Sequence, residues 1–405
     1  MDWNDTTEQA RFRTEVHEFI GTRLPAYYQQ RAVRRAQQQG LENDWQQDWV
    51  HGSPEAQAAA RDWAAALAEK GWAAPHWPSE YGGGGLTTFE QFIMAWEFAR
   101  SEVPVVGGAG TSLIGPTLLV HGTPEQKERF LGPTLRGEYL WAQGYSEPGA
   151  GSDLASLQTR AVRDGDEYVI NGQKLWTSTA HKSNWLFGLF RTDPDAPKHR
   201  GITFMVLDMR TPGVSVRPII SMGWEHATNE TFYEDVRVPA SQVVGEVNRG
   251  WYVGMTLLDF ERSSISGAVQ QRMMVEELAA HLRENRSPNR RELVRSELAD
   301  RYVETEVVFN LSLRIASMQA NGLIPNYEAS MGKMYSTEVL QRIARAGMKA
   351  FGLYANLWAA NEELAPLGAR HTQTAVHSVV QTIAGGSSEI QRNIIATRGL
   401  GLPRG

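Results

Sequence analysis

The 405-residue chain contains no cysteine. That absence excludes disulfides, thiolate metal sites and cysteine nucleophiles together, and it is compatible with a reducing cytoplasm. No run of about 18 apolar residues occurs, so no membrane-spanning helix is expected. The opening Met1-Asp2-Trp3-Asn4-Asp5 lacks the basic-then-apolar order of a signal peptide. A soluble, cytoplasmic protein is the expectation. Positive charge is also short: 40 Lys and Arg against 46 Asp and Glu give a net charge of −6. That leaves no basic stripe to displace counterions from nucleic acid.

Several catalytic templates are missing too. The histidines are dispersed without HExxH spacing, so no metal site is expected. Neither a G-x-S-x-G elbow nor a phosphate-binding P-loop occurs. Gly149-Ala150-Gly151 supplies two glycines of a dinucleotide fingerprint but not the third, and the flanking element order is wrong for that fold.

What is present divides into three stretches, and the length calls for two or three packed subdomains. In the first, Phe12, Val16, Phe19 and Ile20 line one helix face. A helix carrying Trp63 and Leu67 should stop near Gly71, and Gly82 to Gly85 reads as a flexible surface turn. In the middle stretch, Tyr168-Val169-Ile170 and Lys174-Leu175-Trp176 flank Asn171-Gly172, a hairpin signal. Ile202 to Leu207 reads as a buried strand, Val214 and Val216 alternate, and Thr231-Phe232-Tyr233 with Val236-Arg237-Val238 reads as a strand pair. Strands without helices between them predict a small antiparallel sandwich or barrel. The last stretch is helical again, with Val308, Leu311, Ile315 and Met318 on one face and Val339, Ile343, Ala346 and Ala350 on another.

Ser146-Glu147-Pro148-Gly149-Ala150-Gly151-Ser152-Asp153 is a turn whose glycines let a ligand approach the backbone. The hydroxyls of Ser146 and Ser152 suit a polar ring edge or a phosphate. The alternative is a plain loop with Ser152 or Asp153 capping a helical turn. Near the C-terminus, Gly385-Gly386-Ser387-Ser388 reads as a loop ending in an N-cap, with Ser388 and Gln391 fitting a capping box. Such a helix start aims free N–H groups at a ligand, or simply starts a helix.

The stretch from Gln143 to Asp153 resembles the flavin-loop signature of the acyl-CoA dehydrogenase family. Asn171-Gly172-Gln173-Lys174-Leu175-Trp176-Thr177-Ser178 resembles its N-G-x-K-x-W-I-T segment, and Glu234-Asp235-Val236-Arg237-Val238-Pro239 its D-V-x-V-P strand. Ser387-Ser388-Glu389-Ile390-Gln391-Arg392 resembles its C-terminal helix start. The resemblance runs in family order over about residues 60 to 400. It implies an α+β chain: an N-terminal α-domain (1–138), a middle antiparallel β-barrel or sandwich (139–245) and a C-terminal four-helix bundle (246–405). It also implies FAD and an acyl-CoA substrate. Carried over by position, Gln143, Ser146, Ser152, Trp176, Ser178, Ser387 and Glu389 are the cofactor residues, and Ser152 also touches substrate.

The family reaction takes an α-proton from a thioester, whose oxygen needs hydrogen bonds as enolate charge develops. Most relatives place the base glutamate where this chain has Gly385, whose backbone N–H remains available to the thioester oxygen. In the isovaleryl- and long-chain-type branches the glutamate instead precedes the arginine of a D-x-x-R helix motif. Glu261 stands there, with Asp259 and Arg262 matching the pair linked to acyl-CoA binding. Two departures bear on assembly. No phenylalanine lies between Arg262 and Val308 to form the R-x-x-F-G motif, and Lys349-Ala350-Phe351-Gly352-Leu353 replaces Q-x-x-G-G. This pattern resembles the catalytic chains of bacterial heterotetrameric dehydrogenases acting on steroid side chains. Expected, then, is a homo- or hetero-oligomer (the latter with two copies each of two chains) passing electrons to an electron-transfer flavoprotein. An acyl-CoA oxidase and a non-catalytic partner subunit are the competing readings.

Overall fold

The structure is a computed structural model that describes residues 4–30, 44–260, 265–285, 288–359 and 362–403, with backbone alone for 257–260 and 288–293. In chain order, helices α1 (Thr7–Arg23), α2 (Trp45–His51), α3 (Pro54–Glu69), α4 (Thr88–Arg100), α5 (Gly115–His121) and α6 (Pro124–Leu135) come first. Strands β1 (Trp141–Gly144), β2 (Arg160–Asp164), β3 (Glu167–Lys174), β4 (Trp185–Arg191), β5 (Ile202–Asp208), β6 (Val214–Ile219) and β7 (Thr228–Pro239) follow. Helices α7 (Gly250–Phe260), α8 (Ile265–Glu284), α9 (Pro288–Ala320), α10 (Tyr327–Phe351), α11 (Arg370–Gln381) and α12 (Ser388–Ile394) close the order. The expected α–β–α sequence of the fold is what is found. Among the described residues no helix is long and apolar enough to cross a membrane.

The chain forms two compact units, one of residues 45–85 and 105–261 and one of residues 1–44, 86–104 and 262–405. The first holds the sheet, in strand order β1-β4-β2-β3-β7-β6, with β5 paired to the other edge of β4. Most pairs are antiparallel, but β1 and β2 both run parallel to β4. Strands β4 and β5 are buried almost end to end, which is why they read as continuous apolar runs rather than alternating ones. Ile170, Leu186, Phe190, Met205, Tyr233 and Val236 form the sheet core. Helix α6 docks beneath through Phe130, whose ring lies 5.0 Å from Trp185, and through Gln126 Nε2, which donates to the carbonyls of Ser241 and Val243.

Two local expectations change here. Asn171-Gly172 is not a hairpin turn, because β3 runs unbroken through it. The real hairpin joins β2 to β3 through Gly165-Asp166, with Gly165 at φ 61°. Nor is 231–238 a strand pair: β7 is one strand carrying a bulge, where Glu234 and Asp235 together face Asn171. Asp235 takes φ 52° at the bulge and exchanges two hydrogen bonds with the Asn171 side chain. Gly172 is required by close approach, since a Cβ there would lie 2.8 Å from Thr159 Cα. The glycine run at 82–85 is likewise not a free turn. Gly83 is buried with a would-be Cβ 2.4 Å from Trp77 Cβ, and Gly83, Gly84 and Gly85 donate to Pro78, Ala74 and Trp77 carbonyls.

The second unit is a bundle of long helices. Val269 and Met274 of α8, Val308 and Leu313 of α9, and Val339 and Ile343 of α10 share a core with Phe92 of α4. The α10 face through Val339, Ile343, Ala346 and Ala350 is buried as its period demands. On α9, Val308 and Ile315 are buried while Leu311 and Met318 are half-buried. Helix α1 buries Phe12, Val16, Phe19 and Ile20, and Arg13 and His17 reach the buried Glu97 of α4.

Candidate functional site

The loop leaving β1 is built from a short bridge, in which Glu147 and Ala150 exchange backbone hydrogen bonds of 3.0 Å across Pro148-Gly149. Gly149 and Gly151 have open space where a side chain would stand, so the backbone there is approachable. Ser146 is half-buried, and Ser152 is exposed. The cap that the alternative reading placed at Ser152 or Asp153 is not formed. Asp153 precedes the turn Leu154–Ser156 without a side-chain cap, and its carboxylate takes Lys198 Nζ at 2.7 Å instead.

Glu147 itself points inward, where Lys174 of β3 has no exposed surface. Lys174 Nζ lies 2.7 Å from Glu147 Oε1 and also donates to the carbonyls of Leu189 (2.7 Å) and Tyr145 (3.3 Å). The same carboxylate accepts the backbone N–H groups of Gln158 (2.6 Å) and Thr159 (3.0 Å). Burial opposes the charge on Glu147, but the Lys174 ammonium and these donors outweigh it and hold the carboxyl below its ordinary range. Burial pulls the Lys174 ammonium down to about 8, against the attraction of Glu147, so the pair is charged at neutral pH. One charged pair thus fastens the loop after β1, the start of β2, the end of β3 and the middle of β4.

Beyond Lys174 the chain leaves the sheet. The Leu175 N–H donates to Ser146 O at 2.8 Å, so the segment carrying Trp176 lies against the loop carrying Ser146. Trp176 is held at φ 59° with 57% of its surface exposed. A bulky residue in the left-handed region and facing outward is not a strand-core aromatic, which was the alternative for this position. Ser178 is exposed as well. On β1, Gln143 Nε2 is buried with no hydrogen-bond partner among the described residues. An outward indole, a free hydroxyl, a backbone without side chains and an orphaned amide suit a flat heterocycle with a polar edge.

In the bundle unit, Gly385 (φ 63°) and Gly386 (φ 88°) form the turn after α11. Gln391 Nε2 donates to the carbonyls of Gly385 (3.1 Å) and Gly386 (3.3 Å), and Lys333 Nζ donates to the carbonyls of Gly386 (2.7 Å) and Gln381 (3.0 Å). The carbonyls are thereby engaged, and the Gly385 N–H donates to none of the described residues. The expected Ser388–Gln391 capping box is displaced by one residue. Ser387 is the N-cap, its Oγ accepting from the Ile390 N–H, and isoleucine at that position cannot complete a box. Glu389 is exposed in the first turn of α12, its carboxyl held low by its own backbone N–H and by Ser387. Asp259 lies on α7 by its backbone, and Glu261 and Arg262 fall outside the described residues.

Glu147, Lys174, Lys333 and Gln391 were not read as site-building from the sequence. A charge on the inward parity of a strand was the available signal at Lys174, since Tyr168 and Ile170 of the same strand face inward.

Residues 28–138, 142–236 and 248–400 match the acyl-CoA dehydrogenase N-terminal, middle and C-terminal domains respectively. The chain is 39% identical over 346 residues to the acyl-CoA dehydrogenase FadE34 of Mycobacterium tuberculosis, a match covering 84% of this chain. It spans about half of that relative, 46% of its length. A solved structure called Tcur3481-Tcur3483 steroid ACAD is 33% identical, with a TM-score of 0.85 and complete coverage of both chains. The ChsE4-ChsE5 complex from Mycobacterium tuberculosis is 32% identical, with a TM-score of 0.83 and likewise complete coverage.

Removing one partner of a buried pair strands the other charge. Glu147→Gln is expected to cost about 3–5 kcal/mol in denaturant unfolding at pH 7. Because the Glu147 carboxyl is depressed in the fold, its contribution is full above the unfolded carboxyl pKa of roughly 4.3 and fades as pH falls through the lower folded value. The gap between wild type and Glu147→Gln should therefore narrow in acid; a gap constant with pH contradicts the charged pair.

Proposed function

This chain belongs to the acyl-CoA dehydrogenase family of oxidoreductases, and we propose that it converts an acyl-CoA thioester to its trans-2-enoyl-CoA with FAD as cofactor. The observation carrying the cofactor reading is Trp176, exposed and left-handed beside Ser146, with Gln143 Nε2 on β1 unpartnered among the described residues. Gln143, Ser146, Trp176 and Ser178 would hold the flavin ring, with Ser152, Ser387 and Glu389 contributing further contacts. When bound, FAD supplies the acceptor for the hydride that leaves the β-carbon.

The chain's own residues handle the proton and the developing charge. Glu261 takes the α-proton, and the Gly385 N–H donates to the thioester oxygen, which gains negative charge as the proton leaves. Gln391 and Lys333 hold the Gly385 and Gly386 carbonyls and so fix the turn that carries that N–H, which donates to none of the described residues. Asp259, Arg262 and Ser152 are assigned to acyl-CoA binding. A base preceding Arg262 rather than at Gly385 suits bulky acyl groups. Similarity to a steroid ACAD, over the whole of both chains, makes a steroid-side-chain acyl-CoA our preferred substrate.

The absent R-x-x-F-G motif and the altered 349–353 segment favour a second polypeptide that completes the FAD site. Similarity to a two-chain complex supports the same view. We place the assembly in the cytoplasm as a heterotetramer with two copies of each chain, passing electrons to an electron-transfer flavoprotein.

Glu261→Gln should retain bound FAD while turnover falls by at least about 10²- to 10⁴-fold in steady-state assays. Unchanged turnover would make this a non-catalytic subunit or move the base elsewhere. Expressed alone, the chain should carry substoichiometric flavin that coexpression with its partner raises; full occupancy and activity without any partner would overturn the two-chain assembly.

A further inference from the structure

Between Trp176 and Ser178 the chain turns one residue inward. Thr177 has no exposed surface, and its Oγ1 lies 3.4 Å from Thr231 Oγ1, which in turn meets Tyr233 OH at 3.0 Å. With Thr177 anchored inside, its two neighbours are left outside.

Asn229 of β7, itself fully buried, grips Thr177 at three points. The Thr177 N–H donates to Asn229 O (2.9 Å), the Asn229 N–H donates to Thr177 O (3.1 Å), and Asn229 Nδ2 donates to the same carbonyl (3.0 Å). Since only the amide nitrogen can donate to a carbonyl, that last bond fixes which way the side chain faces. The second Nδ2 hydrogen then points to His181 Nδ1 at 3.1 Å, which must be the unprotonated nitrogen of that ring. Asn229 Oδ1 must accept from His226 Nε2, at 2.6 Å. The two imidazoles stack with centroids 3.8 Å apart, so one amide reads both rings of a face-to-face pair.

The surroundings oppose a positive charge on His181. Burial first, then His226, Lys182 and His51, push His181 down to about 4. The clamp continues beyond Thr177: the Thr179 N–H donates to Ala227 O at 3.0 Å, and Gln46 of α2 donates to the Lys182 carbonyl at 3.2 Å. The segment 176–183 is thus held from β7 and from α2, with Asn229 as the member contacting both it and the histidines.

We propose that Asn229 is a positioning residue for the flavin edge, fixing the Thr177 backbone through one tautomer of the stacked His181–His226 pair and so setting Trp176 and Ser178 outward. This rests on reading those two residues as flavin contacts. Asn229 touches neither cofactor nor substrate; it acts through Thr177.

The test uses the FAD-loaded protein with its partner chain and variants Asn229→Ala, Asn229→Asp and His181→Gln. Three readouts apply: imidazole ¹⁵N shifts, the visible flavin spectrum and FAD affinity. Wild type should show His226 carrying a proton on the Nε2 that faces Asn229 Oδ1, and His181 protonated at Nε2 alone, the latter unchanged from about pH 8 to about pH 6, well above where His181 titrates. Asn229→Asp should draw a proton onto His181 at neutral pH, because a carboxylate then faces Nδ1. Asn229→Ala should weaken FAD binding by roughly 5- to 150-fold, the range for orphaning buried hydrogen-bond partners, and shift the flavin band. If Asn229→Ala does not fold, His181→Gln carries the spectral comparison. Variants with wild-type FAD affinity and spectrum, or histidines in other tautomers, overturn the proposal. Trp176→Phe and Ser178→Ala separate the two claims. If these leave the flavin spectrum unchanged, the flavin reading of the segment fails and takes the proposal with it. If they alter it and the Asn229 variants do not, only the role of Asn229 fails.

Discussion

An ammonium group with no access to water has to be surrounded by oxygen, and in this chain the oxygen comes from backbone carbonyls and one carboxylate. Lys174 donates to Glu147 and to the carbonyls of Tyr145 and Leu189, while Glu147 collects the N–H groups at 158 and 159. Ion pairs of this kind contribute little net stability against an apolar replacement, but losing either partner is costly, so the geometry around them is strongly specified. Here the specified geometry is the turn from β1 into the Ser146 loop and the exit of β3 toward Trp176. The Ser146 loop and the exit of β3 are both tied to that pair, and Leu175 N–H to Ser146 O joins them to each other.

Around this anchor the backbone is repeatedly placed in conformations that ordinary side chains resist. Trp176 and Thr179 lie at φ 59° and 57°, Asp235 at 52° on the bulge, and Gly172 approaches Thr159 where no Cβ fits. Such placements persist only where surrounding contacts over-determine them, and Asn229 with its two histidines supplies that restraint at Thr177. The bundle unit uses the same device on a smaller scale. Two left-handed glycines have their carbonyls held by Gln391 and Lys333, which fixes the turn that carries the Gly385 N–H.

Long-period features were legible in the sequence: the buried faces of α1 and α10, the left-handed stop at Gly71, and the apolar run of β5. Motif strings also located the Ser146 loop and the Trp176 segment without any knowledge of their contacts. Short-range turn signals failed where tertiary contacts override them. Asn171-Gly172 carries the local chemistry of a hairpin, yet the glycine admits the close approach of Thr159 and the asparagine pins a bulge on the neighbouring strand. The C-terminal cap was misplaced by one residue because adjacent serines offer the same hydroxyl and only the fold chooses between them. Glu147 and Lys174 escaped notice because charges in strand patterns are ordinarily solvated, and 27 residues separate the partners in sequence.

The three matched domains account for the family, while the proposed cofactor rests on the Ser146 loop and the Trp176 segment and the proposed catalysis on Glu261 acting where Gly385 has no side chain. The most direct measurement is an anaerobic titration of the FAD-loaded protein with a steroid-side-chain acyl-CoA, following the visible flavin band. Stoichiometric bleaching with formation of the trans-2-enoyl product is the predicted result. A fully flavin-loaded protein whose band no acyl-CoA bleaches would contradict the account.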